Sequence, residues 1–224
     1  WFADKQNYYA DNKSLKEENE ALKQQIAEME ATVRQGEAAS RENAFLRDLL
    51  DLRQQRRDLS DFETATVTER SVTNWTSSLT LDKGSAHGVE VGDCVIDGAG
   101  ALVGRVSRVG YNWSTVLTVV DTDTSLGARV YRTQDIGIAA GDFALMGDGL
   151  LKLDSLPASA QLLEGDLVVT SGFGGYIPPD LVIGSVTELR AEDSDTTVYA
   201  VLTPAADLAS LTEVCIIKSF EVVN

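Results

Sequence analysis

Histidine is nearly absent from this 224-residue chain, which has only His87. A Ser-His-Asp arrangement needs a histidine held by an acid. His87 sits in the polar turn Lys83-Gly84-Ser85-Ala86-His87-Gly88 with no identifiable acid partner, so it reads as plain surface. Cysteine is also scarce. Cys94 and Cys215 each lie in an alternating apolar run and read as small buried hydrophobes. A disulfide between them requires neighbouring strands, and their spacing suggests neither metal nor redox chemistry. Bases are few: 19 against 35 acids, a net charge of −16. Such a chain is repelled by nucleic acid and by anionic lipid. Its densest basic cluster, three arginines within Arg53–Arg57, falls where a helix should end and where cations favour the helix dipole. No run of 18 apolar residues and no signal peptide is present.

Familiar ligand motifs fail on inspection. Asp121-Thr122-Asp123-Thr124-Ser125 opens like a calcium loop, but Leu126 replaces the required glycine and Arg132 the required glutamate. It reads as a turn. Gly98-Ala99-Gly100 and Gly172-Phe173-Gly174-Gly175 lack the Lys-Ser/Thr pair of a phosphate loop and read as hairpin turns. No metal site, no cofactor and no catalytic residue are expected.

Two regions of different character are present. Residues 4 to 60 contain no proline and one glycine, and are rich in Glu, Lys, Gln, Ala and Leu, all good helix formers. Leu15, Asn19, Leu22, Ile26, Met29 and Val33 step by four and three, the period of an a/d seam. Asn19 takes an a-type place, where a buried amide fixes register. The stripe is too narrow for a helix buried in a globular core, so these six residues are expected to dimerise with a second copy. The seam falters near Gly36 and Ser40 and resumes out of phase at Phe45 or Leu46, Leu49, Leu50 and Leu52. That break is expected to mark where the helix leaves a partner and packs on its own domain. The chain opens on Trp1-Phe2 without Met, with Tyr8 and Tyr9 close behind, and reads as trimmed from a longer protein. These aromatics suit either the interfacial belt of a membrane anchor or a frayed terminus.

From residue 63 onward Val, Thr, Ile and Leu dominate, and turn residues recur every eight to twelve positions, the mark of short strands in a sandwich or barrel. Twelve strands are predicted, too many for one small barrel. An internal repeat supports two. Gly92-Asp93, a strand, Gly98 and Gly100, then Leu102-Val103-Gly104-Arg105-Val106 is echoed by Gly165-Asp166, a strand, Gly172, Gly174 and Gly175, then Val182-Ile183-Gly184-Ser185-Val186. Gly-Asp suits a tight turn, and Gly104 and Gly184 suit a bend or a close backbone approach. The predicted fold is an amino-terminal coiled coil over 1–60 followed by all-β structure in two small barrels. These are 61–120, with 197–224 as candidates to complete it, and 121–196. Phe173, Tyr176 and Ile177 lie in a glycine- and proline-rich loop of the second repeat, where a turn does not need large apolar residues. They are candidates for a partner-binding surface, or fold back to plug a barrel end.

An ordered set of stretches resembles the rod shape-determining protein family MreC. It comprises Glu42-Asn43-Ala44-Phe45-Leu46-Arg47-Asp48-Leu49-Leu50, Leu81-Asp82-Lys83-Gly84 with Gly88-Val89, and Val103-Gly104-Arg105-Val106. Val168-Val169-Thr170-Ser171-Gly172, Ile177-Pro178 and Ile183-Gly184-Ser185-Val186 complete it. Pro178-Pro179-Asp180 departs from the family's proline followed soon by glycine. The resemblance implies a non-enzymatic scaffold, anchored by a single pass in the cell membrane with this region extracytoplasmic. It further implies self-association, and binding to MreD, RodZ and a class B penicillin-binding transpeptidase to maintain rod shape. Two other architectures join similar parts. A periplasmic adaptor usually inserts its helical hairpin between β segments, whereas the helix here is wholly amino-terminal. An inactive double-barrel peptidase homologue is disfavoured by the lone histidine.

Overall fold

The computed structural model describes residues 2–73, 76–157, 160–191 and 198–220. Trp1 and the side chains of Phe2, Tyr8 and Tyr9 lie outside the described residues. The first element, α1, runs Phe2–Gln55. Its single glycine, Gly36, has open space around it, so the helix crosses it at no steric cost. Two compact units divide at Ala44 and Phe45. In the second unit Phe45, Leu49 and Leu52 are half-buried against the core, while Leu46 and Leu50 remain exposed. The resumed apolar phase after residue 40 therefore serves intramolecular packing.

Twelve strands follow: β1 Leu59–Val72, β2 Ser77–Leu81, β3 Cys94–Ile96, β4 Leu102–Val109, β5 Ser114–Thr118 and β6 Ser125–Val130, then β7 Ile136–Gly141, β8 Leu151–Asp154, β9 Leu167–Thr170, β10 Val182–Ala191, β11 Val198–Pro204 and β12 Glu213–Phe220. A one-turn helix, α2 Phe143–Met146, precedes β8, its amino end capped by Asp142 accepting from Ala144 N. The strands close two antiparallel six-stranded barrels. One runs β1-β12-β3-β4-β5-β2, the other β10-β11-β8-β7-β6-β9.

These two rings have the same order once β7 to β11 are laid on β1 to β5. The sixth strands are exchanged: β6, which follows β5, closes the second barrel, and β12, which follows β11, closes the first. Of the stretch 197–224, then, β12 pairs into the first barrel and β11 into the second. Local bonding repeats the equivalence. Gly92 and Gly165 both have positive φ, at +103° and +86°. Each donates its N–H to the residue two places after the strand glycine, Gly92 to Val106 O at 2.8 Å and Gly165 to Val186 O at 2.7 Å. Asp93 accepts from Glu90 N, and Asp166 from Leu163 N, both at 2.8 Å.

Two cores result. One fills the first barrel with Leu79, Leu81, Val95, Val103, Val116, Val214 and Ile216. The other fills the second barrel with Leu126, Leu151, Leu153, Ile183 and Leu202, and continues over the outer face of the first through Ile96, Leu102, Cys215 and Ile217. β12 is therefore buried on both faces, which is why Val214-Cys215-Ile216-Ile217 is continuously apolar. Cys94 and Cys215 lie on adjacent strands but face Ile217 and Ile96, two positions out of register. Diagonal neighbours stand ~7–8 Å apart, beyond disulfide reach, and both thiols are free. Burial pushes each up to about 12, so neither is a nucleophile at neutral pH.

Candidate interaction surfaces

The α1 seam is an open apolar stripe. Leu15, Leu22, Ile26, Met29 and Val33 are each more than half exposed, from 51% to 68%. Asn19 is exposed on the same stripe. Their flanks are charged, with Lys23 bonding Glu20 at 3.0 Å and Arg34 near Glu30 at 3.8 Å. Exposed pairs of this sort contribute little stability. They leave the apolar stripe as the helix's main unsatisfied surface.

The end of α1 seats on the β3–β4 hairpin. Asp97 accepts from Ala99 N at 3.0 Å and Ala101 N at 2.8 Å, and Gly100 takes φ +89°. A Cβ on Gly98 would stand 2.9 Å from the Phe45 ring, and one on Gly100 would stand 2.8 Å from Leu52 Cδ1. The glycines of Gly98-Ala99-Gly100 thus form a flat floor for the helix. The neighbouring Arg56 is committed structurally. It grips Asp58 through both nitrogens, at 2.9 and 2.7 Å, and donates to Pro179 O and Asp180 O at 2.8 and 3.1 Å. The guanidinium holds the Asp58 carboxyl below the usual carboxylate range. Of the arginine cluster, Arg53 and Arg57 stay exposed.

The loop after β9 is firmly fixed at its base. Buried Thr170 donates to Pro178 O at 2.6 Å and accepts from Leu181 N at 2.9 Å. Asp180 pairs with Arg129. Gly172, Gly174 and Gly175 all have positive φ, conformations that favour glycine. From this base Phe173 and Tyr176 project outward, 71% and 79% exposed, while Ile177 turns inward and packs against the core. Pro178-Pro179-Asp180 turns the chain back toward β10, with Asp180 itself at φ +62°.

His87 sits in a one-turn 3-10 helix, Ser85–His87, and its Nδ1 accepts from Gly84 N at 3.4 Å. Buried Asp121 accepts from Ser77 N at 2.7 Å and Asp123 N at 2.9 Å, so the calcium-like stretch is the β5–β6 turn. No group of acids, histidines and cysteines with metal-holding geometry occurs among the described residues. No described helix is long and apolar enough to cross a membrane. Sequence reasoning missed the bidentate pair between exposed Arg132 and buried Asp166, both contacts 2.7 Å, which holds the second Gly-Asp turn. That guanidinium keeps the Asp166 carboxyl low. The repeated Gly-Asp marked its acid, and nothing marked its base.

A helix with an open apolar seam, followed by two closed barrels that exchange their sixth strands, defines a coiled-coil and double-barrel protein built around surfaces. The chain belongs to the MreC family: the family described as rod shape-determining protein MreC, barrel core, matches residues 67–218. The cell shape-determining protein MreC of Listeria monocytogenes is 32% identical over 181 residues, 80% of this chain and 60% of that protein. The Bacillus subtilis protein is 31% identical over 79% of this chain and 63% of its own length. The chain therefore spans about three-fifths of these relatives. A solved Listeria MreC is 27% identical with TM-score 0.63, covering 92% of this chain and all of that one.

Proposed function

We propose that this chain is a non-enzymatic extracytoplasmic scaffold that pairs through its helix and organises the cell-wall elongation machinery to maintain rod shape. One observation carries the reading: five apolar side chains in heptad spacing, Leu15 through Val33, are each more than half exposed among the described residues. Water contact on that stripe is relieved by a second copy of the same helix. The MreC family membership of the barrels supplies the cell-shape role. A relative 25% identical, TM-score 0.59, is described as the major periplasmic domain of the cell shape-determining filament MreC. It supports both the extracytoplasmic placement and self-association. A single-pass membrane anchor belongs to the same proposal.

Pairing is tested with Leu22→Glu/Ile26→Glu. Both positions are exposed, so the barrels should melt unchanged. Sedimentation should turn a dimer into a monomer, with the dissociation constant raised at least ~100-fold, about 3 kcal/mol. A native protein that is already monomeric at tens of micromolar, or a double variant that remains dimeric, ends the seam proposal.

MreD, RodZ and a class B penicillin-binding transpeptidase are the proposed partners. A Helicobacter pylori MreC, 19% identical and with TM-score 0.54, was solved in complex with a penicillin-binding protein. That likeness speaks for the shared fold, so the partner here rests on family membership. Phe173 and Tyr176 are the proposed anchors, exposed aromatics on a rigid base, with Ile177 bracing the loop from inside. Replacing both aromatics with serine should leave melting within ~1 kcal/mol, as surface changes do. Capture of the transpeptidase should fall at least ~10-fold, the effect of losing a binding anchor of about 1.4 kcal/mol. A folded double variant that binds at full strength removes this surface.

A further inference from the structure

Arg105 on β4 is used unlike four arginines elsewhere in the chain. Arg56, Arg129, Arg132 and Arg190 each hold a carboxylate. The Arg105 side chain makes no hydrogen bond or ion pair among the described residues, and its Nε is buried without a partner. The residue is only partly exposed. Its guanidinium passes over Gly92, where an added Cβ would stand 3.7 Å from Nη2. It lines a cavity of about 280 Å³ with Val91, Val106, Leu117, Leu126 and Ser125. Half-burying an unpaired charge is unfavourable unless a counter-charge completes it, and this chain has acids in excess at net −16.

We propose that this cavity binds a carboxylate carried on a short aliphatic stem, with Arg105 taking the carboxylate side-on. A planar guanidinium offers paired donors to both oxygens. The aliphatic walls suit methylene groups. The volume lies below the range of drug-sized ligand sites and matches a single side-chain-sized group. Other hydroxyls of the cavity are occupied as donors, Thr124 to Thr118 O at 2.8 Å and Ser107 to Thr115 O at 3.1 Å. Ser125 remains to donate. Asp123 lines the same cavity without pairing to Arg105, so a second carboxylate on the ligand is repelled and monocarboxylates are preferred. The proposal is independent of helix pairing and of the transpeptidase surface.

The experiment is a titration of the full isotope-labelled chain, followed by amide shifts at Gly92, Arg105 and Ser125. The probes are butyrate, butyramide, succinate and the peptide acetyl-Ala-Glu-Ala-amide. Butyrate or the peptide should saturate with a dissociation constant on the order of millimolar, succinate should bind more weakly, and butyramide should not bind. The tighter of butyrate and peptide assigns the source as a free aliphatic acid or a protein glutamate. Arg105→Met should fold with equal or higher melting temperature, since it removes an unpaired buried charge, and should lose binding at least ~10-fold. Arg105→Lys should retain weakened binding. Butyramide binding as well as butyrate, no saturable shift with any carboxylate, or full binding by folded Arg105→Met overturns the site.

Discussion

A chain ending at Thr212 loses its first barrel. The deletion removes β12, whose Val214, Cys215, Ile216 and Ile217 are each no more than 2% exposed. Burying four such side chains contributes roughly 6 kcal/mol or more, at ~1.5–3 kcal/mol each. Net stability of a domain is about 5–15 kcal/mol, so this one strand carries a decisive share. Its loss also unpairs the ladders of β1, from Leu59 to Thr66, and of β3. The second barrel retains all six of its strands, β6 to β11. Hydrogen exchange should therefore show fast amides throughout β1 to β5 and residual protection in β6 to β11. A truncated chain that keeps native protection in β1 and β3 refutes the interlocking described above.

Gly104→Val and Gly184→Val should each destabilise the protein by about 3 kcal/mol or more, the upper range for overpacking against atoms that cannot move. Neither glycine has positive φ, so the reason is space, not backbone conformation. A Cβ on Gly104 would press on the Leu117 carbonyl, 2.8 Å from its carbon and 2.9 Å from Thr118 Cα. A Cβ on Gly184 would press on the Thr203 carbonyl, 2.9 Å from its carbon and 3.1 Å from Pro204 Cα. The two sites correspond between the barrels, with β4 crossing β5 and β10 crossing β11 next to register shifts. Urea melts should show lowered midpoints for both variants. Equal midpoints in variant and native protein would mean that the strands part freely at these crossings.

Much of this was legible locally. The helix Phe2–Gln55 follows from helix-forming residues and the absence of proline, and it ends short of residue 60 because Leu59 already enters β1. The strands follow from β-branched runs punctuated by Gly-Asp and glycine turns. The open seam was legible because period 3.5 persists from Leu15 to Val33 in a helix with no other apolar face. Phe173 and Tyr176 could be singled out as large apolar residues in a glycine loop. Whether they project or fold back was not readable there, because that depends on the Thr170–Pro178 bond across the loop's base and the distant Arg129–Asp180 contact.

Sequence alone settled the element types, the twofold repeat and the membership of the barrels in a known family. Each depends on residues near one another in the chain. Tertiary structure alone decided which barrel each sixth strand completes, the partners of Arg56 and Arg132, the solitude of Arg105, and the separation of the two cysteines. Strand pairing across more than a hundred residues, as in Leu59 with Phe220, is chosen by complementary burial on both faces of a sheet. A chain's local pattern records that a strand such as β12 is apolar throughout, but not which two surfaces cover it.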